Sequence, residues 1–179
     1  MGFKNILTAI LVASSLLFAL DVSAQNEPGL TRLTDDPAQD GFPRWSPDGK
    51  QILFSRFGGD IAPEKTGLWL VSPDGGEARQ LTTVIGEHPH WSPDGLYIAF
   101  DGDSGNSIQL VSAAGGVPIR IVPESISISR GGQPKWSPDG TRIAFKEGSS
   151  IWVLDVATDR FKRVFSEEGK RVFPVCWSH

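Results

Sequence analysis

The sequence predicts an all-β protein built as an incomplete β-propeller, and three observations support this. The motif Trp-Ser-Pro-Asp-Gly occurs at Trp45–Gly49, Trp91–Gly95 and Trp136–Gly140, and Trp177-Ser178 repeats its beginning. Successive copies lie about 45 residues apart, a period typical of four-stranded propeller blades. Short apolar runs follow each copy, and none has the length or periodicity of a helix.

Each repeat contains four short extended segments, which predict the four strands of a blade. In the first repeat one segment ends at Trp45, and the others contain Ile52–Phe54, Leu68–Val71 and Ala78–Thr82. The other two repeats have apolar runs at corresponding places. We therefore predict three complete blades, at residues 42–82, 88–122 and 133–166.

The repeated motif predicts a tight hairpin between the first and second strands of each blade. Proline presets φ, aspartate accepts hydrogen bonds from nearby backbone, and glycine takes the left-handed conformation that a three-residue loop needs. We assign these residues a structural role, and predict no catalytic or metal-binding role for them. The repeat signature consists of Trp45, Pro47, Asp48, Gly49, Trp91, Pro93, Asp94, Gly95, Trp136, Pro138, Asp139 and Gly140.

The second strand predicts how the blades stack. Ile52 and Phe54 share one face of the sheet because alternate side chains point the same way, and Leu53 lies on the other face. Ala99 and Ala144 occupy the position of Leu53 in the later repeats. Both faces are apolar, which predicts a sheet packed between two neighbours, since a sheet with one wet face alternates with polar residues.

The two ends predict partial blades. Within an N-terminal segment at residues 25–41, residues 30–34 predict an outermost strand without the rest of its blade. Residues 172–179 predict the first strand of a truncated fourth blade. We expect the chain to be a fragment of a longer protein. As given, its unclosed blade edges and exposed apolar faces predict self-association.

Residues 1–24 predict a cleavable secretory signal. Lys4 precedes the apolar run Ile6–Leu20, and Val22-Ser23-Ala24 matches a small-residue cleavage site. The alternative is a membrane anchor, although the run is short for a span. We expect a periplasmic or secreted protein, cleaved after Ala24 and not stably inserted in a membrane.

The repeat pattern resembles a known family. Pro-x-Trp-Ser-Pro-Asp-Gly-x-x-Ile-Ala-Phe, followed by an apolar strand and the closing Arg79–Thr82, is similar to the propeller repeat of the TolB family, a WD40-like repeat. The resemblance implies a periplasmic, six-bladed propeller that makes protein–protein contacts in the cell envelope. The repeats begin almost directly after the leader, whereas TolB has an α/β domain there. The repeat also resembles propellers that precede prolyl-oligopeptidase-type hydrolase domains.

Composition limits the classes of partner. The net charge is −4 and the basic residues are not clustered in sequence, which argues against nucleic-acid binding. Cys176 is the single cysteine, so we expect it to fill a packing site and form no internal disulfide. We expect no cofactor.

Three segments have residues suited to chemistry. Asp101–Asn106 has the spaced oxygen ligands of a calcium loop, but it lacks the later glutamate, so we favour an ordinary turn between strands two and three. Gly102–Gly105 is similar to a serine-protease nucleophile turn, which also requires a histidine and an acid. His88-Pro89-His90 offers two metal ligands without an evident third, so we favour structural histidines.

Arg44, His90 and Lys135 each precede a repeat tryptophan. We expect them to pair with the motif aspartates Asp48, Asp94 and Asp139, or to lie along blade edges. The alternative is a partly basic rim near the propeller channel.

The sequence thus favours a non-catalytic scaffold that binds other envelope proteins. Two alternatives remain open. The blades could be the propeller portion of a prolyl-oligopeptidase-type serine hydrolase, or a lyase could be built directly on the propeller. Further Trp-Ser-Pro-Asp-Gly units downstream would favour the scaffold, and a Gly-x-Ser-x-Gly elbow would favour the hydrolase.

Overall fold

A computed structural model describes residues 31–126, 128, 131–174 and 176–178. The predicted signal at residues 1–24 lies outside the described residues. Over the described residues the chain forms three four-stranded antiparallel sheets, in each of which strands adjacent in sequence are adjacent in space. The predicted all-β, incomplete propeller is therefore confirmed. None of the described helices is both long and apolar enough to cross a bilayer.

The strand bounds define the three blades. Blade 1 consists of β1 (Gln39–Trp45), β2 (Ile52–Phe57), β3 (Gly67–Val71) and β4 (Arg79–Thr82). Blade 2 consists of β5 (Glu87–Trp91), β6 (Tyr97–Gly102), β7 (Ser107–Ser112) and β8 (Ile119–Arg120). Blade 3 consists of β9 (Lys135–Trp136), β10 (Arg142–Glu147), β11 (Ser150–Asp155) and β12 (Arg160–Ser166). Short 3₁₀ turns at Pro63–Lys65 and Asp103–Gly105 join the second and third strands of blades 1 and 2.

The Trp-Ser-Pro-Asp-Gly motif forms the same hairpin in all three blades. In blade 1 the Gly49 N–H donates to the Ser46 carbonyl at 2.9 Å, and Gly49 has φ 70°. The Ser46 hydroxyl donates to Asp48 Oδ1 at 2.7 Å and accepts from the Gln51 N–H at 2.9 Å. The loop therefore spans Pro47–Lys50, longer than the predicted three residues, because the serine hydroxyl replaces a backbone acceptor.

The motif serines also set the charge state of the motif aspartates. Hydrogen bonds from Ser46 and Ser92 hold the pKa of Asp48 and of Asp94 below its usual value. In blade 3 the hydroxyl of Ser137, together with the Thr141 backbone, lowers the pKa of Asp139 to about 2. All three carboxylates are therefore ionised near neutral pH and bound within their own turns.

The blades stack through two apolar interfaces, and the face assignment made from the sequence accounts for both. At the first interface the side chains come from both blades: Leu53, Leu68, Leu70 and Leu81 of blade 1, and Trp91, Ile98, Phe100 and Val111 of blade 2. At the second, Ala99, Ile108 and Val122 of blade 2 and Ile128 pack against Trp136, Ile143, Phe145 and Leu154 of blade 3. Leu53 and Ala99 thus face the following blade, and Trp91 and Trp136 each pack against the preceding blade, whereas Trp45 is exposed.

At its N-terminal side, the described chain covers blade 1 without adding a strand. Residues 31–34 have no regular secondary structure, so the strand predicted at residues 30–34 is not formed there, and Leu30 lies outside the described residues. Leu33 instead lies with Ile52, Phe54 and Val71 around a cavity of about 150 Å³. Contact with the apolar face of blade 1 takes the place of strand pairing.

Arg56 on β2 holds Asp36 and Asp40, which lie just before and at the start of β1. Its guanidinium bonds to both carboxylate oxygens of Asp40, at 2.7 and 2.8 Å, and lies 3.2 Å from Asp36 Oδ2. The Trp69 ring centroid is 4.8 Å from its Cζ atom. The hydrogen bond to Asp40 raises the pKa of Arg56, so this buried charge is permanent and compensated. No local sequence pattern predicts this cluster, because Arg56 and Asp40 are distant in sequence.

At the C-terminal side, the described residues 172–174 and 176–178 also have no strand, although residues 172–179 predict one. The Trp177 indole donates to the Lys135 carbonyl at 3.0 Å, and the Arg142 guanidinium lies 5.0 Å from its ring centroid. Single side chains thus hold the segment against blade 3. Cys176 is exposed, so the prediction that it fills a packing site is wrong. No described strand covers it.

Candidate binding site at the inner strands

Phe42 on β1, His88 on β5 and Gln133 just before β9, at the inner strands of the three blades, share a backbone bend that was not predicted from the sequence. Phe42, His88 and Gln133 have φ values of 55°, 48° and 50°, and each precedes the proline of its repeat. A residue before proline is normally extended, and a non-glycine residue with positive φ is strained. The pairing of β1 with β2 and of β5 with β6 shifts register at this point, so the bend is a β-bulge. Its sequence signal is the repeated x-Pro-x-Trp.

The bulge gives His88 and His90 different partners. His88 Nδ1 lies 2.8 Å from Asp101 Oδ2. His90 Nδ1 lies 3.1 Å from the Trp91 carbonyl oxygen and 3.3 Å from the Trp136 backbone nitrogen. The two rings thus take part in separate interactions. In the described part of the chain, no group of three or more His, Cys, Asp or Glu residues is arranged to hold a metal ion.

Asp101 joins three segments beneath this bulge. Its side chain is 0% exposed, and it accepts hydrogen bonds from His88 Nδ1 and from the Gln133 N–H, both at 2.8 Å. Asp101 and Gly102 belong to β6, so their assignment to a turn is corrected, and the turn itself is Asp103–Gly105. The alternation of side chains along β6 places the Asp101 side chain on the same face as Ala99, which packs towards blade 3.

The serine of Gly102–Gly105 lies in a cleft apart from the histidines. Ser104 has φ 56° and lines, with Asp103, a cleft of about 640 Å³ between blades 1 and 2. Glu64, Thr66 and Thr83 lie on its other side, and no histidine is among the residues lining it. A serine nucleophile needs a histidine within hydrogen-bond distance, and this cleft does not provide one.

Arg44, His90 and Lys135 do not pair with the motif aspartates, so the predicted pairing is wrong. The turn serines bind these aspartates, and the described cations nearest to Asp48 and Asp139 are Lys50 and Arg142. Arg44 Nη1 donates to the Pro43 carbonyl. Of the ion pairs within 4.0 Å in the described ranges, none includes Arg44 or Lys135.

These three residues interact with one another across the inner strands, and we call them the inner basic cluster. Burial lowers the pKa of His90 to about 4, and the positive charges of Lys135 and Arg44 act in the same direction. Burial also lowers the pKa of Lys135; Arg44 contributes to this, and the Asp101 charge opposes it. The cluster at neutral pH therefore consists of two cations and a neutral imidazole. The alternative, a partly basic rim near the propeller channel, stays a prediction.

No family model matches the sequence, and no curated protein matches it. Solved structures are similar to it in fold. TolB from Acinetobacter baumannii has a TM-score of 0.60 and 22% identity, over 74% of this chain and 33% of that one. Oligogalacturonate lyase from Vibrio parahaemolyticus has a TM-score of 0.58 and 16% identity, over 78% of this chain and 40% of the lyase.

A puromycin hydrolase variant has a TM-score of 0.57 and 21% identity, over 75% of this chain and 23% of the hydrolase. The chain therefore spans less than half the length of each of these proteins. At these identities the similarity establishes the fold alone: this chain has a TolB-like propeller fold. The same architecture occurs in a lyase and in a hydrolase.

Proposed function

We propose that this chain is an exported, non-catalytic propeller that binds another protein of the cell envelope through its inner strands. The observation that supports this best is the inner basic cluster, whose cations Arg44 and Lys135 take part in none of the described ion pairs. Propellers commonly use the ends of their inner strands and the adjoining loops for contacts, since these surround the channel. The leader at residues 1–24 supports export.

Photo-crosslinking in the envelope tests this proposal. A photo-reactive residue at Glu87, which is exposed at the start of β5, reports on contacts at the inner strands. The matched control is Lys162, exposed on the outer strand β12. We expect an adduct with another envelope protein from Glu87 and none from Lys162. Absence of the adduct from Glu87, or recovery of the protein only in the cytoplasm, would contradict the proposal.

The hydrolase alternative has support only from the shared architecture of the puromycin hydrolase. It predicts a catalytic domain elsewhere in a longer chain, because Ser104 has no histidine in its cleft. Sequencing the coding region beyond His179 decides between the two. Further repeat motifs alone support the scaffold, whereas a Gly-x-Ser-x-Gly elbow followed by Asp and His supports a hydrolase.

A further inference from the structure

The inner basic cluster leaves hydrogen-bond donors without acceptors. Arg44 uses one guanidinium nitrogen, Nη1, for the Pro43 carbonyl at 2.9 Å. Within the described ranges, its other guanidinium N–H groups and the Lys135 ammonium have no bonded acceptor. Two half-buried cations that repel each other are stabilised when an anion binds both of them.

The position of the cluster favours binding over a packing role. Arg44 and Lys135 occupy the same place in their repeats, on β1 and β9, and β5 with His90 lies between these strands. His90 connects the strands because its Nδ1 atom lies 3.3 Å from the Trp136 nitrogen. Asp101, the buried carboxylate whose charge acts on Lys135, is already bonded to His88 and to the Gln133 N–H. It therefore does not serve as a counter-ion that could satisfy both cations.

We propose that the inner basic cluster binds a carboxylate presented by an acidic peptide segment of a protein partner, an inference that rests on the function proposed above. The Arg44 guanidinium provides a planar fork that matches the two oxygens of a carboxylate. Lys135 adds a second positive charge from blade 3. His90 remains neutral and adds no third charge, so one or two carboxylates are enough to balance the site.

A peptide fits the surroundings better than an acidic saccharide or a nucleic acid. Sugar rings and bases bind by stacking on open aromatic faces, whereas the Phe42 ring already packs against His88 at 4.7 Å and against Phe57 at 6.0 Å. The exposed Trp45 follows Arg44 directly, so on a strand it points to the opposite side. The net charge of −4 disfavours a polyphosphate backbone.

Fluorescence anisotropy with a labelled oligoglutamate peptide tests the site on the full chain. We expect the double variant Arg44→Gln/Lys135→Gln to bind the peptide at least about tenfold more weakly, since each lost charge-assisted hydrogen bond contributes to affinity. Lys50→Gln is the control, because it removes one positive charge at an exposed position paired with Asp48. Its affinity should stay within about twofold of the parent. Circular dichroism and melting curves show whether each variant is folded.

The outcomes separate this inference from the proposed function. Equal binding by the double variant and the Lys50→Gln control, or no binding of oligoglutamate by the parent chain, would overturn the carboxylate site. If the Glu87 crosslink persists in either case, the scaffold function stands and only its chemistry is rejected. Tighter binding of an oligogalacturonate than of oligoglutamate, lost in the double variant, would overturn the assignment to a peptide.

Discussion

The Nδ1 atom of His90 lies 3.3 Å from the backbone nitrogen of Trp136, where the inner strands of blades 2 and 3 are in contact. This hydrogen bond joins a side chain just before one repeat tryptophan to the backbone of the next one along the chain. A charged imidazole has no lone pair on Nδ1 and cannot accept from an N–H. The contact therefore requires a neutral His90 with its proton on Nε2, in agreement with its low pKa. In that tautomer Nδ1 does not donate to the Trp91 carbonyl 3.1 Å away.

We expect the pKa of His90, followed by nuclear magnetic resonance, to be about 4 in the folded protein. The usual value is near 6.5, and burial together with the charges of Lys135 and Arg44 lowers it. Lys135→Gln should raise the pKa of His90, because one of those charges is removed. His88 gives a similar imidazole resonance, so the resonance of His90 must be assigned by its absence in His90→Gln.

The same shift predicts how stability depends on pH. His90 binds a proton more readily in the unfolded state, so its contribution is complete above pH 6.5 and is lost as the pH falls towards 4. In His90→Gln, the unfolding free energy should fall less steeply between these pH values. Urea unfolding at several pH values measures this, and an unchanged slope would contradict the burial of the imidazole.

Asp101→Asn should destabilise the protein by about 2 to 3 kcal/mol, measured by urea unfolding. The carboxylate is fully buried and accepts from His88 and from the Gln133 N–H, so its replacement weakens the link from β6 to β5 and to the approach to β9. Asp74→Asn is the control, because Asp74 is exposed in the turn between β3 and β4. A similar effect in both variants would mean that Asp101 is not a structural link.

The exposed thiol of Cys176 provides a test of how the C-terminal segment lies. Ellman's reagent should modify Cys176 in the native protein at a rate close to that in urea, because no described strand covers the side chain. Slow reaction that urea accelerates strongly would show that the thiol is buried. Arg142→Gln weakens the contact of this segment with blade 3 and should leave a thiol that is already exposed equally reactive.

The sequence predicts the blades because each blade of a stack must bury the same two faces, so the same residue types recur at the same places. Trp91 and Trp136 fill equivalent interfaces, and the alternation on β2, β6 and β10 places Leu53 and Ala99 against the next blade. Side chains alternate along each strand with a period of two residues, and the strands recur with the period of the blade. A single sequence shows both patterns directly.

The inner strands were harder to predict because the bulge overrides that alternation. The left-handed residue at His88 rotates the following side chains, so counting residues along a regular strand assigns His88 and His90 to the same side. Asp101 and Arg56 also depended on partners distant in sequence, at Gln133 and Asp40. Pairings between distant polar residues leave no local periodicity.

The repeat tryptophans allow a matched comparison between two burial states of the same motif residue. Trp91 is 7% exposed and packs between blades 1 and 2, whereas Trp45 is 60% exposed. We expect Trp91→Ala to lower the unfolding free energy by about 3 to 5 kcal/mol, because it leaves a large cavity in the interface. Trp45→Ala should cost less than about 1 kcal/mol, since little apolar area is lost.

Both values come from urea unfolding followed by circular dichroism, which avoids a signal that depends on the tryptophan removed. Ile98→Val is the graded control, because it removes one methyl group from the same interface and should cost about 1 kcal/mol. Equal losses in Trp91→Ala and Trp45→Ala would mean that the motif tryptophan stabilises its own hairpin. A large loss confined to Trp91→Ala instead locates the stabilisation in contacts between blades.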